Sequence, residues 1–167
     1  MKKYMTALLA LALALGALTA CGAKQDNSEA VEVDLPAFYA ELEKQFQWNE
    51  GYMVDLEGEM LESYYPGLSE ISTRQFIAKM PMMSSVVNEI VFLQCETEED
   101  AAKAAEILQS RIDYQVGDEN NPGGAWYPES IEAWKKGQVI QQGTYVAMIA
   151  SAEYQDTITE RFNALFA

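Results

Sequence analysis

The chain has 167 residues, a net charge of −15, two cysteines and no histidine. A protein this acidic repels nucleic acid and anionic lipid headgroups, so we expect no nucleic-acid partner. The length suits a single domain with a substantial core. Because histidine is absent from the sequence, the usual base beside a serine or cysteine nucleophile and the commonest zinc ligand are excluded.

The first twenty residues have the composition of a secretory leader. Lys2 and Lys3 form a positive head, and residues 4–20 are small and apolar, as in a signal peptide. The apolar run is shorter than the roughly 20 residues that a helix needs to cross a bilayer, so a permanent membrane span is the weaker alternative. We therefore predict that residues 1–20 are a signal peptide. The motif that ends at Cys21 indicates that it is a lipoprotein signal peptide.

The four residues LTAC, ending at Cys21, follow the apolar run directly and resemble the lipobox of bacterial lipoproteins. This resemblance implies that Cys21 receives a diacylglycerol and becomes the first mature residue; the alternative is an ordinary leader with a coincidental cysteine. The lipid would hold the protein on the outer face of the cell membrane. We expect no other cofactor. Residues 21–33 are polar and aperiodic, which predicts a flexible tether before a single domain at residues 34–167.

The first half of the domain combines helical and strand patterns. Asp34 can cap a helix that carries apolar residues every three or four positions and ends near Phe46. Residues 58–65 predict a short second helix, which a Pro-Gly pair ends. The stretches Arg74–Met80 and Val86–Cys95 have the composition of strands, and the second is too apolar to have a fully solvated face.

The second half begins with the clearest helix of the chain. Thr97 and Asp100 form a start resembling a capping box, and a stripe of alanine, leucine and isoleucine follows. Residues 114–130 are rich in glycine, proline and asparagine, which predicts the longest loop. A short helix then ends at Gly137, two strands follow, and Ser151 can cap the last helix.

This order of elements contains a strand–strand–helix pattern twice. Short connections favour antiparallel pairing of consecutive strands. The sequence therefore predicts an α+β fold with a four-stranded, mainly antiparallel sheet and helices packed on one of its faces.

Several segments together are similar to a known family. The lipobox, EMLESYYPGL at residues 59–68, AKMPMMSSVVNEIVFL at residues 78–93 and GTYVAMIAS at residues 143–151 resemble domain of unknown function family 4358, which comprises small lipoproteins of Gram-positive bacteria. The resemblance implies export, lipidation and a small α+β domain. It implies no established activity and no catalytic residue.

Three methionines, Met80, Met82 and Met83, surround a proline at the turn between the first two predicted strands. Thioethers suit Cu(I), but adjacent strand residues point to opposite faces unless the proline bends the chain, so we expect no metal. The methionines would otherwise fill irregular space in the core. In the third interpretation they line, with Tyr64 and Tyr65, an exposed groove that binds a protein or peptide.

Two further features have simple structural interpretations. The acidic and amide side chains of residues 118–121 resemble calcium ligands, but a proline and paired glycines follow where an EF-hand continues its ligands, so a solvated loop is favoured. With Cys21 lipidated, Cys95 is left without a disulfide partner. We expect it to be a small buried hydrophobic residue, because no histidine is present to activate its thiol.

No catalytic residue can be assigned, although 26 acidic residues would allow a carboxylate pair to act on a glycan. We therefore predict a non-enzymatic, membrane-anchored binding module at the cell envelope, with an unknown envelope protein or peptide as its partner. The alternative is a small carboxylate-dependent hydrolase that acts on envelope material. An exposed patch of methionine and aromatic residues would favour binding, whereas a polar cleft with facing carboxylates would favour hydrolysis.

Overall fold

The computed structural model describes residues 32–48, 51–83 and 85–167. The predicted signal peptide, Cys21 and nearly all of the predicted tether lie outside the described residues. Glu32–Ala167 forms one compact unit. No helix among the described residues is long and apolar enough to cross a membrane.

Five α-helices and five strands are interspersed along the described part of the chain. The helices are α1 (Leu35–Phe46), α2 (Gly58–Tyr64), α3 (Glu98–Val116), α4 (Pro128–Lys135) and α5 (Gln155–Ala164). The strands are β1 (Met53–Asp55), β2 (Thr73–Pro81), β3 (Asn88–Cys95), β4 (Gln138–Gln142) and β5 (Tyr145–Ser151). They form one antiparallel sheet in the order β1-β2-β3-β5-β4. The predicted α+β class is confirmed.

The sheet has five strands, so the prediction of four was wrong. The additional strand, β1, has only three residues, which is too short to show an alternating pattern. It pairs with the end of β2, where Met53 lies opposite Pro81 and Asp55 opposite Lys79. The outer edge of β2 from Thr73 to Ile77 therefore has no strand partner among the described residues.

Helices cover both faces of the sheet, so the prediction that they pack on one face was also wrong. Along β3, Val91 and Leu93 belong to one apolar cluster, and Ile90 and Phe92 belong to another. Since successive residues of a strand point to opposite faces, these are the two sides of the sheet. Residues of α2, α3 and α4 join the first cluster, and residues of α1 and α5 join the second. We call the two sides the α3 face and the α1 face.

The start of α3 forms as predicted. The backbone N–H of Asp100 donates to Thr97 Oγ1 at 3.1 Å, and three acidic residues occupy the first turn, where the helix dipole favours negative charge. The helix continues to Val116, three residues into the predicted loop, and ends before Gly117. This extension brings Tyr114 to the wall of a cleft described below.

The described chain begins at the end of the sheet where β3 finishes. The backbone N–H of Val33 donates to the Tyr145 hydroxyl at 3.0 Å, and Gln75 Nε2 donates to the Val33 carbonyl at 2.7 Å. Gln75 and Tyr145 both lie beside Gln94, near the last residue of β3. Asn88, at the start of β3, marks the opposite end of the sheet.

Candidate functional site

A cleft of about 670 Å³ opens on the α3 face at the end of the sheet where β3 begins. The end of β2 and the start of β3 contribute to its lining, together with α2, α3, α4 and the segment from residue 124 to 127. We call it the aromatic cleft. The aromatic residues that line it are Tyr64, Tyr114, Trp126, Tyr127 and Trp134.

A buried ion pair lies within the lining of this cleft. Glu89 and Arg111 are 3% and 6% exposed. Arg111 Nε and Nη2 donate to Glu89 Oε1 and Oε2, each at 2.9 Å, and the Tyr65 hydroxyl also donates to Oε1. Two parallel hydrogen bonds of this kind offset much of the cost of burying the charges. The cleft therefore contains two ionised groups without gaining net charge from them.

Aromatic rings hold the guanidinium from the sides. The central carbon of Arg111 lies 4.2 Å from the ring centroid of Tyr64 and 5.5 Å from that of Trp134, within the range of cation–π attraction. Burial, together with the charge of Glu89, raises the pKa of Tyr65 well above its usual value. Its hydroxyl therefore stays protonated and donates to Glu89.

The loop between α3 and α4 positions the most exposed aromatic side chain. Gly117 has a φ of +71°, and a Cβ there would overlap the backbone nitrogen of Gly123. The N–H of Gly124 donates to the Tyr114 carbonyl at 2.8 Å, which fastens the loop to the last turn of α3. Trp126 follows directly and is 88% exposed. The loop thus has a fixed backbone that presents an indole to solvent.

The possible calcium ligands make a turn in this loop. Asp118 Oδ1 accepts the backbone N–H groups of Asn120 at 2.7 Å and Asn121 at 2.9 Å. These bonds hold the pKa of Asp118 below its usual value. Within residues 32–48, 51–83 and 85–167, no three His, Cys, Asp or Glu side chains lie close enough to hold a metal ion.

The structure separates the five residues predicted to form a binding patch. Tyr64 and Met80 line the aromatic cleft. Met82 and Met83 lie in the turn after β2, 67% and 62% exposed, and are not among the cleft-lining residues. Tyr65 is fully buried, so its place in an exposed groove was wrong. Tyr64 and Tyr65 are adjacent at the end of α2. Tyr64 faces the cleft, whereas Tyr65 faces the core.

Cys95 has the predicted environment. Its side chain is fully buried at the end of β3, within the cluster on the α3 face. Burial and, to a smaller extent, the charge of Asp100 raise the pKa of the thiol to about 11. A buried and protonated thiol is a poor nucleophile.

Sequence reasoning missed most of the cleft, although two signals were present. Arg111 lies three residues after Leu108, on the stripe that α3 buries, and a charge in that position requires a partner such as Glu89. Trp126 and Tyr127 lie among glycine and proline residues that cannot continue a buried element. Large aromatic residues in such a loop indicate a role outside the core.

Carboxylates gather at a different place. A hollow of about 420 Å³ lies between α1 and the β1–β2 edge, and Glu43, Asp55 and Glu57 are among the residues that line it. Lys79 Nζ contacts Asp55 Oδ1 at 2.8 Å. Burial and the neighbouring Glu43 raise the pKa of Tyr39, which also lines this carboxylate hollow.

No curated protein and no solved structure matches this chain. Residues 47–151 match the family described as domain of unknown function (DUF4358). This range contains every residue that lines the aromatic cleft, whereas the predicted lipobox lies before it. On this match, the chain belongs to the DUF4358 family.

Proposed function

We propose that this protein is a lipid-anchored, extracytoplasmic binding module that holds a segment of an envelope protein or peptide in the aromatic cleft and catalyses no reaction. The observation that carries the proposal is the exposed aromatic rim around a buried, mutually neutralised ion pair. Trp126, Tyr114 and Tyr127 are 88%, 65% and 56% exposed. Large apolar side chains gathered in solvent around one cleft are typical of interaction sites.

The residue types also favour binding. Tryptophan, tyrosine and arginine dominate the energetically important positions of protein interfaces. Among the described residues that line the aromatic cleft, Glu89 is the one carboxylate, and both of its oxygens accept hydrogen bonds from Arg111. The cleft is thus suited to contact with a partner. The carboxylate of Glu89 already has its hydrogen-bond donors within the protein.

The position of the cleft supports an outward-facing role. The chain enters the domain beside the end of β3, whereas the cleft lies at the start of this strand. The length of β3 separates these points by about 23 Å. A tether from Cys21 would therefore join the domain at the end away from the cleft, so that the point of attachment does not occupy the cleft.

The anchor is tested by replacing Cys21 with alanine in the full-length chain. We expect the wild type to incorporate labelled fatty acid and to sediment with membranes, and the variant to do neither. A variant that remains labelled and membrane-bound would overturn the proposed lipidation at Cys21.

The cleft is tested with a photo-crosslinking amino acid at position 126 of the lipidated protein in intact cells. We expect a discrete crosslinked product from this position. The matched control is position 76, because Phe76 is also partly exposed but does not line the aromatic cleft. Absence of a product at position 126, or the same product from both positions, would contradict binding in the cleft.

The hydrolase is the second candidate, and the carboxylate hollow is the observation that favours it. Two carboxyl groups at suitable separation can cleave a glycosidic bond. In this alternative, Glu43→Gln and Asp55→Asn abolish release of soluble fragments from isolated cell envelopes, and Trp126→Ala leaves release unchanged. If the wild-type protein releases no fragments, the hydrolase candidate fails.

A further inference from the structure

Building on the proposed function, we infer that the ligand of the aromatic cleft is a proline-rich segment of a partner protein in the polyproline II conformation. The shape of the surface, its fixed loop, its hydrogen-bonding groups and its charge support a ligand of this class.

The surface is elongated. A second hollow of about 540 Å³ shares Tyr64, Arg111 and Tyr114 with the aromatic cleft and continues along α2 and α3 to Pro66 and Ile107. The rings of Tyr64 and Tyr114 line both hollows. Extended, proline-rich peptides bind to grooves of this kind, because their flat pyrrolidine rings pack against aromatic faces.

Both partners would be ordered before they meet. The loop that carries Trp126 is fastened by the Gly124–Tyr114 hydrogen bond and by a two-residue bridge between Gly117 and Pro122. A polyproline II segment is likewise extended before it binds. Association therefore orders few additional groups, which favours affinity.

The hydrogen-bonding groups favour an acceptor-rich ligand. The indole N–H of the exposed Trp126 and the hydroxyl groups of the exposed Tyr114 and Tyr127 can each donate a hydrogen bond to a ligand. Proline residues have carbonyl acceptors and no N–H, so they match a surface of this kind.

The charge of the protein favours particular residues on either side of the proline-rich segment. Glu89 and Arg111 neutralise each other within the cleft, whereas the whole chain carries −15. A neutral run of prolines therefore suits the cleft, and lysine or arginine residues beside the run suit the net negative charge of the chain.

The test uses the full-length lipidated protein in detergent and measures binding by calorimetry. The probe is an oligoproline peptide with an arginine at each end, compared with a glycine–serine peptide of equal length and charge and with a chitin oligosaccharide. We expect the oligoproline peptide to bind at least about tenfold more tightly than the other two. Trp126→Ala should weaken this binding at least about tenfold, and Phe76→Ala should leave it unchanged.

Each other outcome overturns the inference. Equal binding of both peptides would mean that charge alone holds the ligand, and binding of the oligosaccharide alone would identify a glycan site. If no probe binds while position 126 still yields a crosslink in cells, the proline-rich ligand is wrong and the proposed function stands. If the crosslink also fails, both are wrong. An unchanged urea midpoint of Trp126→Ala shows that loss of binding is not loss of folding.

Discussion

The guanidinium of Arg111 lies on the side of α3 that otherwise buries alanine, leucine and isoleucine. Replacing Arg111 with methionine leaves the carboxyl group of Glu89 buried and without the two hydrogen bonds that Arg111 donates. We expect the free energy of unfolding to fall by about 3–5 kcal/mol. The measurement is urea unfolding of residues 22–167, which include the whole compact unit.

The control for this prediction is an exposed arginine–glutamate pair that is joined by one hydrogen bond. Arg74 Nε lies 2.8 Å from Glu96 Oε2, and the two side chains are 58% and 47% exposed. We expect Arg74→Met to cost less than about 1 kcal/mol. Replacing Glu89 and Arg111 together with leucine and methionine should recover part of the loss, since no unpaired charge remains. Equal effects of Arg111→Met and Arg74→Met would contradict the role of burial.

The methionines include both exposed and fully buried side chains. Met82 and Met83 are more than half exposed, whereas Met148 is fully buried in β5. We expect Met82→Gln and Met83→Gln to change the free energy of unfolding by no more than about 0.5 kcal/mol each. Met148→Gln should reduce it by at least about 2 kcal/mol, because it buries an amide in an apolar site. Large losses at the first two positions would mean that these sulfurs pack in the core.

Cys95 should make stability depend on alkaline pH. Its pKa is raised from 9.0 to about 11 in the folded protein, so the unfolded chain loses the thiol proton first. The contribution of the Cys95 thiol to the free energy of unfolding is complete below about pH 9. It is lost as the pH rises to about 11, at up to about 1.4 kcal/mol per pH unit. Urea unfolding across this range should show a shallower decline for Cys95→Ala than for the wild type.

The same comparison separates Cys95 from the buried tyrosines. Tyr39 and Tyr65 also have raised pKa values, and they are present in both proteins. Their effect therefore cancels between the wild type and Cys95→Ala. Parallel pH profiles for the two proteins would show that the thiol ionises equally easily in the folded and unfolded states.

At the scale of elements, the loop between α3 and α4 depends on close backbone contact. Gly117→Ala adds a Cβ against Gly123 at a positive φ. Gly51→Ala also meets a positive φ, of 84°, but no atom of the described residues lies within 4 Å of its new Cβ. Backbone strain alone costs about 1–3 kcal/mol. We therefore expect Gly117→Ala to lower the free energy of unfolding by at least about 1 kcal/mol more than Gly51→Ala.

The effect on the loop itself is measurable by limited proteolysis. Cleavage near Trp126 should become faster in Gly117→Ala and stay unchanged in Gly51→Ala, since only the first variant disturbs the contact with Gly123. Equal cleavage in both variants would show that the contact does not hold the loop.

Elements with local signals were predictable from the sequence. The caps Asp34 and Thr97 accept the backbone N–H groups that end-capping requires, so α1 and α3 begin where expected. The three residues of β1 carry no such signal, because they depend on pairing with the end of β2. The apolar run of β3 indicated that neither face is fully solvated, and complete burial of Asn88 to Leu93 shows the same on both sides.

At the scale of the whole molecule, the candidate site depends on contacts between distant segments. Glu89 and Arg111 lie 22 positions apart, and Tyr65 lies 24 positions before Glu89. A helical or strand period describes one element at a time, so it cannot show that these three side chains meet. The fold class followed from local patterns, whereas the cleft required the packing of α3 against β3.

The edge of β2 that lacks a strand partner among the described residues would limit how densely a lipid-anchored form of this protein can populate a membrane. Lipid-anchored copies would diffuse in two dimensions, where the edge from Thr73 to Ile77 of one copy can meet that of another and add strand to strand. The charge of −15 on each chain opposes this contact, with a range of about 8 Å at physiological ionic strength. Electrostatic repulsion between the acidic chains therefore protects the protein from aggregation. High salt or acid weakens this repulsion and favours aggregation through the edge of β2.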